Sequence, residues 1–544
     1  MNILLIATPY KIENSKFKGN NREFLGIGYI GSVLRKNGEN VTIIDPGVHK
    51  MDINELIQLV KRGNYDLIGF TLTERSAKVA VYIIKEFRKF NITVPITVGG
   101  HYSSLSYEAF FAACPEVDAI IMGEGEITIV DFVTNLNERS KWKDVKGIAF
   151  LENNNIVVTE KRPLIDDLDT IPFAARDLLP LNIENRGQRA YMISSRGCYG
   201  SCSYCSMNMF YSKHPNAKKW RARSAENVVD EMEMLVKKYK IGVIAFDDDN
   251  FMGPGTSGKE RAKKVADEIL RRKLKISYIF PCRPNDVELD LFKYLKKSGL
   301  NGVFLGIDSM NQRSLDLFNR KLTVKQNMDA IKILDELELR QQYGFINFDP
   351  YSSLSDIKNN YYFVKERMLS KRNGDYIYGL LKSLEIYDNS PIVDFALENN
   401  LLIKDEKSNY LKDEFGYLYR VKDPDMEIVR NISVKMKNVL LDTINADLAK
   451  ELNKILVNGG FKHIKRKDVD DFFKETKKQL HYETLDYYEK LLLDVERLKD
   501  NLPENFESDF INGFKEFIFG KITLYIEKLN LNVNKGVEES EITK

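Results

Sequence analysis

The first 140 residues alternate short apolar runs with stretches of helical spacing. Ile3–Ala7, Val41–Asp45, Leu67–Thr71, Ile96–Gly99 and Ala119–Met122 read as buried strands, and Gly28–Lys36 repeats its apolar positions with a helical period. Such alternation predicts a doubly wound (Rossmann-like) parallel sheet of α/β class, whose ligands bind beyond the carboxyl ends of the strands. Residues 141–189, with Pro163, the acidic run Asp166–Asp169 and Pro172, predict a linker. From 190 to 400 the alternation resumes, with strands expected at Tyr191–Ser194, Gly242–Asp247, Ser277–Phe280, Val303–Ile307 and Gly344–Asp349, and a last one near Leu384–Tyr387. About six strands with intervening helices predict a partial (β/α)6 barrel, open at one side. Residues 401–544 are rich in Lys, Glu, Leu and Tyr, with helical spacing over Val434–Val457 and Asp470–Leu498. They predict an α-helical domain lying on the barrel mouth, ending in a polar, frayed stretch, Val533–Lys544.

Charge and composition remove several function classes. Lys plus Arg (81) nearly cancels Asp plus Glu (79), so no nucleic-acid partner is expected. No run approaches about 18 apolar residues, so no membrane span is expected, and Met1–Ala7 reads as a first strand rather than a signal peptide. Of five cysteines, Cys114 and Cys282 are isolated and three are clustered, which is no disulfide framework and suits a reducing, cytoplasmic location.

The cluster is Cys198, Cys202 and Cys205, in the run Ser-Arg-Gly-Cys-Tyr-Gly-Ser-Cys-Ser-Tyr-Cys. Electron-carrier [4Fe–4S] sites use four cysteines, so three thiolates leave one iron open to a small molecule. Structural zinc is the alternative, with His214 as a fourth ligand. Further chemistry gathers at strand ends. Gly99-Gly100-His101 and Gly123-Glu124-Gly125 follow the fourth and fifth strands, where glycine lets backbone approach a large flat ligand. Thr71 ends the third strand, and Asp248 and Asp249 follow the strand that closes at Asp247.

The cysteine spacing with its Arg-Gly lead-in resembles the cluster loop of radical S-adenosylmethionine (SAM) enzymes. Phe246-Asp247-Asp248-Asp249-Asn250-Phe251 resembles the motif that holds the SAM amino group there, with Asp248 and Asp249 at its acidic positions. Gly306-Ile307-Asp308-Ser309 stands where relatives have Gly-Ile-Glu-Ser, which implies that Asp308 and Ser309 lie near the SAM ribose and methionine; Tyr204 is implied near the adenine. In the first domain, Leu25-Gly26-Ile27, Asp45, Gly69-Phe70-Thr71, Gly99-Gly100-His101, Ser104, Glu108, Asp118 and Gly123–Glu126 resemble the cobalamin-binding domain of cobalamin-dependent radical SAM proteins. That implies cofactor contacts from Thr71, Gly99, Gly100, His101, Gly123, Glu124 and Gly125. The D-x-H-x-x-G motif that supplies a histidine to cobalt in other cobalamin folds is missing. His101 is open to two readings, contact with a cofactor side chain or ordinary loop hydrogen bonds.

The resemblance implies three cofactors, a [4Fe–4S] cluster, SAM and cobalamin, and an external flavodoxin- or ferredoxin-like electron donor. An electron from the cluster would cleave SAM to a 5′-deoxyadenosyl radical, and methylcobalamin would methylate an unactivated carbon, or a phosphinate phosphorus, of a small-molecule or peptide substrate. A cyclase or rearrangement oxidoreductase without methyl transfer is the alternative, and a non-catalytic corrinoid-binding or redox-sensing module is a third. Methylthiotransferase chemistry would need three more N-terminal cysteines, and only Cys114 stands there.

Overall fold

The computed structural model describes every residue except 20–22, 213, 216–217, 370–375, 389, 414–415, 444–465, 500 and 543–544. Its first sheet has seven strands: β1 (Asn2–Ala7), β2 (Asn40–Ile44), β3 (Leu67–Thr71), β4 (Ile96–Gly99), β5 (Ala119–Ile121), β6 (Ile148–Glu152) and β7 (Asn155–Val158). They lie in the order β2-β1-β3-β4-β5-β6-β7. The first five are parallel, and β6 and β7 add antiparallel. Part of the stretch expected as a linker therefore closes the sheet edge, because Ile148, Ala149 and Phe150 bury their side chains in the two cores that flank it. The order 2-1-3-4-5 puts a topological switch between β1 and β3, where such sheets open a crevice.

The second sheet is all parallel, in chain order: β8 (Arg189–Met192), β9 (Val243–Phe246), β10 (Ser277–Cys282), β11 (Leu300–Asp308) and β12 (Arg340–Phe345). The expected sixth strand is reduced to isolated bridges, Phe348 to Ser383 (parallel) and Ile386 to Tyr417 (antiparallel). Capped helices make the crossovers. Ser224 accepts from Asn227 N at the start of Ala225–Tyr239, and Thr323 forms a capping box with Gln326 ahead of Val324–Glu336.

Three long helices follow, Pro424–Asp442, Arg466–Leu498 and Phe506–Ile542. Their apolar faces belong to the same core as the barrel: Met426, Val429, Leu485 and Phe514 are buried with Phe345 and Leu380. Tyr488 stacks on Tyr361 at 6.1 Å. The C-terminal half of the expected Val434–Val457 helix lies outside the described residues. The described residues of the last segment, through Ile542, are helical where fraying was expected. Among the described residues no helix is long and apolar enough to cross a membrane.

Two buried ionic networks fix the first domain on the barrel. Glu231, 0% exposed, takes Arg176 at 2.8 Å and Arg223 at 2.5 Å, and Arg176 also reaches Glu23 at 3.0 Å. Breaking a buried ion network by removing one member costs about 3–5 kcal/mol, since the partners stay charged and dry. Glu231→Ala is therefore expected to lower the stability by about that amount, read from the urea midpoint; an unchanged midpoint would contradict it.

Candidate functional site

A cavity of about 1590 Å³ lies where the carboxyl ends of the two sheets meet. It exceeds the roughly 1,000 Å³ upper range of sites for drug-sized ligands, so it suits something larger. The first domain gives it Thr71, Gly99, Gly100, His101, Gly123, Glu124 and Gly125, and the barrel gives it Ser195, Arg196, Phe210, Tyr211, Asp247 and Asp249. The helix Pro424–Asp442 roofs it with Lys437, Asn438, Leu441 and Asp442.

The turn glycines are required where they stand. Gly100 has φ +120°, and a Cβ there would come within 2.5 Å of the Leu72 carbonyl oxygen. Gly123 has φ +73°, and a Cβ would strike the His214 ring at 2.3 Å. His101 begins the short helix His101–Leu105, a correction to its expected place in a loop. Its ring meets Phe210 edge-on at 4.4 Å and opens onto the cavity. Although the ring opens onto the cavity, desolvation by the cavity walls, helped by the Arg196 charge, pushes its pKa down to about 4.

Glu124 is employed differently from the cofactor contact the sequence implied. Its carboxylate accepts from Arg196 (3.0 Å), Arg221 (2.8 and 2.9 Å) and Ile165 N (2.7 Å), and Arg196 also pairs with Glu126 at 2.5 Å. Burial alone would raise the Glu124 pKa, but the Arg221 hydrogen bond and the two guanidinium charges outweigh it and hold the carboxyl below its usual range. Glu124 thus ties the first domain to the cluster loop while bordering the cavity.

The acidic strand end is sorted by alternation. After β9 successive side chains point to opposite sides. Asp247 and Asp249 face the cavity, and Asp248, 7% exposed, points behind it. There its carboxylate accepts from Ser194 N (2.7 Å), Ser194 Oγ (2.6 Å) and Ser195 Oγ (2.7 Å). Expected as a ligand contact, Asp248 is instead a latch between two strand ends. Asp249 accepts from Gly197 N at 2.9 Å, and burial raises both carboxyls above their ordinary range. Asp247 and Arg196 were missed as site residues; strand alternation pointed to the first, and the second stands beside the cysteine motif.

All three clustered cysteines are free thiols. Burial raises the Cys198 thiol pKa and pushes that of Cys205 up to about 12, which metal binding would reverse by taking thiolates. Among the described residues no three His, Cys, Asp or Glu side chains converge as a single metal ion requires. A cubane puts each cysteine on a different iron, so ligating a cluster does not require the three sulfurs to converge on one point. His214 is also engaged elsewhere, with Nδ1 3.0 Å from the Arg162 carbonyl oxygen and its ring against Gly123. Two guanidiniums face Cys202 Sγ, Arg320 at 2.9 Å and Arg283 at 3.6 Å, as a negatively charged cluster would need.

The remaining expected residues separate. Asp308 is left-handed (φ +63°) and pairs with Arg320 at 2.5 Å. Tyr204 packs edge-on against Phe318 at 5.5 Å. Ser309 is 0% exposed, and its hydroxyl lies in an asparagine cluster, accepting from Asn311 N (3.2 Å) and donating to Asn360 Oδ1 (3.4 Å). That burial corrects the expectation of a ligand contact from Ser309.

Family models fall on the two halves of this site. Residues 20–133 match the B12 binding domain and residues 192–360 match the radical SAM superfamily. That domain content is the one that defines cobalamin-dependent radical SAM enzymes, and the chain is one of them, with cobalamin, SAM and a [4Fe–4S] cluster as its cofactors. It is 27% identical over 442 residues to an uncharacterized methyltransferase of Pyrococcus horikoshii, covering 81% of this chain and 91% of that protein. It is 28% identical over 334 residues to the anaerobic magnesium-protoporphyrin IX monomethyl ester cyclase of Cereibacter sphaeroides, covering 59% of this chain and 52% of that one. Its fold is similar to that of the cobalamin-dependent SAM radical enzyme OxsB (TM-score 0.72, 21% identity, 98% of this chain and 81% of that one). It is also similar to that of the radical SAM methyltransferase TsrM from Kitasatospora setae (TM-score 0.55, 16% identity, 75% and 84%).

Proposed function

We propose that the protein methylates an unactivated carbon, or a phosphinate phosphorus, of a small-molecule or peptide substrate held in the interdomain cavity. The observation that carries this reading is that the glycine turns of the first domain and the Arg196–Asp249 side of the cluster loop border one continuous space. When bound, the cofactors supply a 5′-deoxyadenosyl radical and a transferable methyl group; the protein's share is to orient and to exclude water. Cys198, Cys202 and Cys205 hold the cluster. Asp249, with Asp247 beside it, faces the SAM ammonium, and Tyr204 and the Asp308–Arg320 pair border the same ligand. Thr71, Gly99, Gly100, His101, Gly123 and Gly125 would hold cobalamin, and the 424–442 helix would screen the substrate from water. Reducing equivalents come from a flavodoxin- or ferredoxin-like donor in the cytoplasm.

The test is the product mass after anaerobic turnover with candidate substrates, where a gain of one methylene is expected. A second reading, rearrangement or cyclisation without methyl transfer, is favoured by the likeness to the cyclase of Cereibacter sphaeroides. Substrate conversion without that mass gain would replace the first reading by the second. Absence of 5′-deoxyadenosine under all conditions would leave a corrinoid-binding module.

Cobalamin is expected to sit here with no histidine on cobalt, because the His101 ring is packed edge-on to Phe210. Electron paramagnetic resonance of the cob(II)alamin form should show no nitrogen superhyperfine splitting from a protein ligand. Splitting that disappears in His101→Ala would contradict this.

A further inference from the structure

The three cysteines have unequal surroundings. Cys198 Sγ accepts from Gly200 N at 3.4 Å, and Cys205 lies by the backbone N–H groups of Met207 and Asn208. Among the described residues Cys202 is the one of the three whose sulfur accepts from guanidiniums, Arg320 Nη1 at 2.9 Å and Arg283 Nη1 at 3.6 Å, while the Arg283 charge also reaches Cys198. Both guanidiniums are buried, at 5% and 6% exposed. Arg320 has little freedom to turn: Nη2 donates to the Gly306 carbonyl at 2.5 Å, Nε meets the Asp308 carboxylate at 2.5 Å, and its own carbonyl accepts from Arg283 Nη2. The left-handed backbone at Asp308, at the end of β11, re-aims the carboxylate onto this guanidinium, a conformation a non-glycine residue adopts only when its surroundings hold it there.

We infer that Arg320, seconded by Arg283 and partly neutralised by Asp308, sets the reduction potential of the cluster through Cys202. The inference rests on the proposed cluster ligation by Cys198, Cys202 and Cys205. Reduction puts one more electron on the cluster and more negative charge on its thiolate sulfurs. Buried N–H donors and cations next to a sulfur stabilise that charge, and hydrogen bonds and net charge at the sulfurs tune such potentials. Removing the guanidinium must therefore make reduction harder. Removing the Asp308 charge leaves the guanidinium uncompensated and makes it easier. Opposite shifts from two residues in one ion pair separate electrostatic tuning from support of the fold, which would move both variants alike.

The experiment is a potentiometric titration of the full-length, anaerobically reconstituted protein without SAM, with dithionite as reductant and the EPR signal of the reduced cluster as readout. Iron per chain is measured alongside. Arg320→Leu is expected to lower the equilibrium constant for one-electron reduction at least tenfold, about 59 mV towards negative potential. Asp308→Asn is expected to shift it in the opposite direction. Arg320→Lys, which keeps the charge, should lie between Arg320→Leu and the parent, and Arg283→Leu should shift as Arg320→Leu does, by less. Unchanged potentials, or shifts of one sign in both Arg320→Leu and Asp308→Asn, overturn the inference. If Arg320→Leu fails to hold iron, the Asp308→Asn and Arg283→Leu shifts decide it, and equal signs overturn it. A parent protein that assembles no cluster contradicts the proposed ligation itself and not the tuning.

Discussion

Alanine at Cys198, Cys202 and Cys205 together is expected to leave a folded chain that binds cobalamin but carries no cluster. The three thiols lie in the loop after β8 and form no disulfides, so their loss removes ligands without unpicking a core. The first domain keeps both of its cores, which contain none of these residues. Broad cluster absorbance near the visible region should vanish, and 5′-deoxyadenosine formation should fall to the no-enzyme level. Iron retained at the parent's stoichiometry in the triple variant would show that the cluster is held elsewhere.

The second large effect separates two adjacent aspartates. Asp249→Ala is expected to keep iron and cobalamin and to weaken SAM binding about ten- to hundredfold, since a charge-assisted hydrogen bond is worth about 1.5–3 kcal/mol. Asp248→Ala is expected to act on the fold. It strands Ser194 N and Ser194 Oγ, leaves Ser195 Oγ only the Asn250 carbonyl, and removes the anion beside Arg261, whose pKa burial already lowers to about 10. Losses of that kind amount to about 3–5 kcal/mol. Urea midpoints together with equilibrium dialysis of SAM tell the two apart. A stable Asp248→Ala that has lost SAM binding, beside an Asp249→Ala that retains it, would reverse the assignment.

The contrast shows where sequence reading stops. Apolar runs located β1 to β5 and β8 to β10 to within about two residues, because a parallel strand buried on both faces is apolar along its whole length, whereas β11 and β12 begin three and four residues before the expected starts. The cysteine spacing was legible because three ligands of one loop are local in the chain. The triple Asp was legible as a strand end, but choosing its cavity-facing members required the direction of the side chains. Period-two alternation picks Asp247 with Asp249, while the motif comparison had picked Asp248 with Asp249. The full roles of Glu124 and Ser309 were illegible for another reason. Their partners, Arg196 and Arg221 for the first and Asn311 and Asn360 for the second, belong to other elements and meet them only after folding. The pairing of β6 with β5 and the lining of the cavity by Lys437 and Leu441 are likewise long-range facts that composition does not encode.

The measurement that bears most directly on the central claim is a crystal structure of the anaerobically reconstituted protein with cobalamin and SAM. The account predicts corrin density in the interdomain cavity against Gly99, Gly100 and Gly123, with SAM between Asp249 and a cluster on Cys198, Cys202 and Cys205. Corrin bound outside that cavity, or a cluster on any other set of residues, would contradict it.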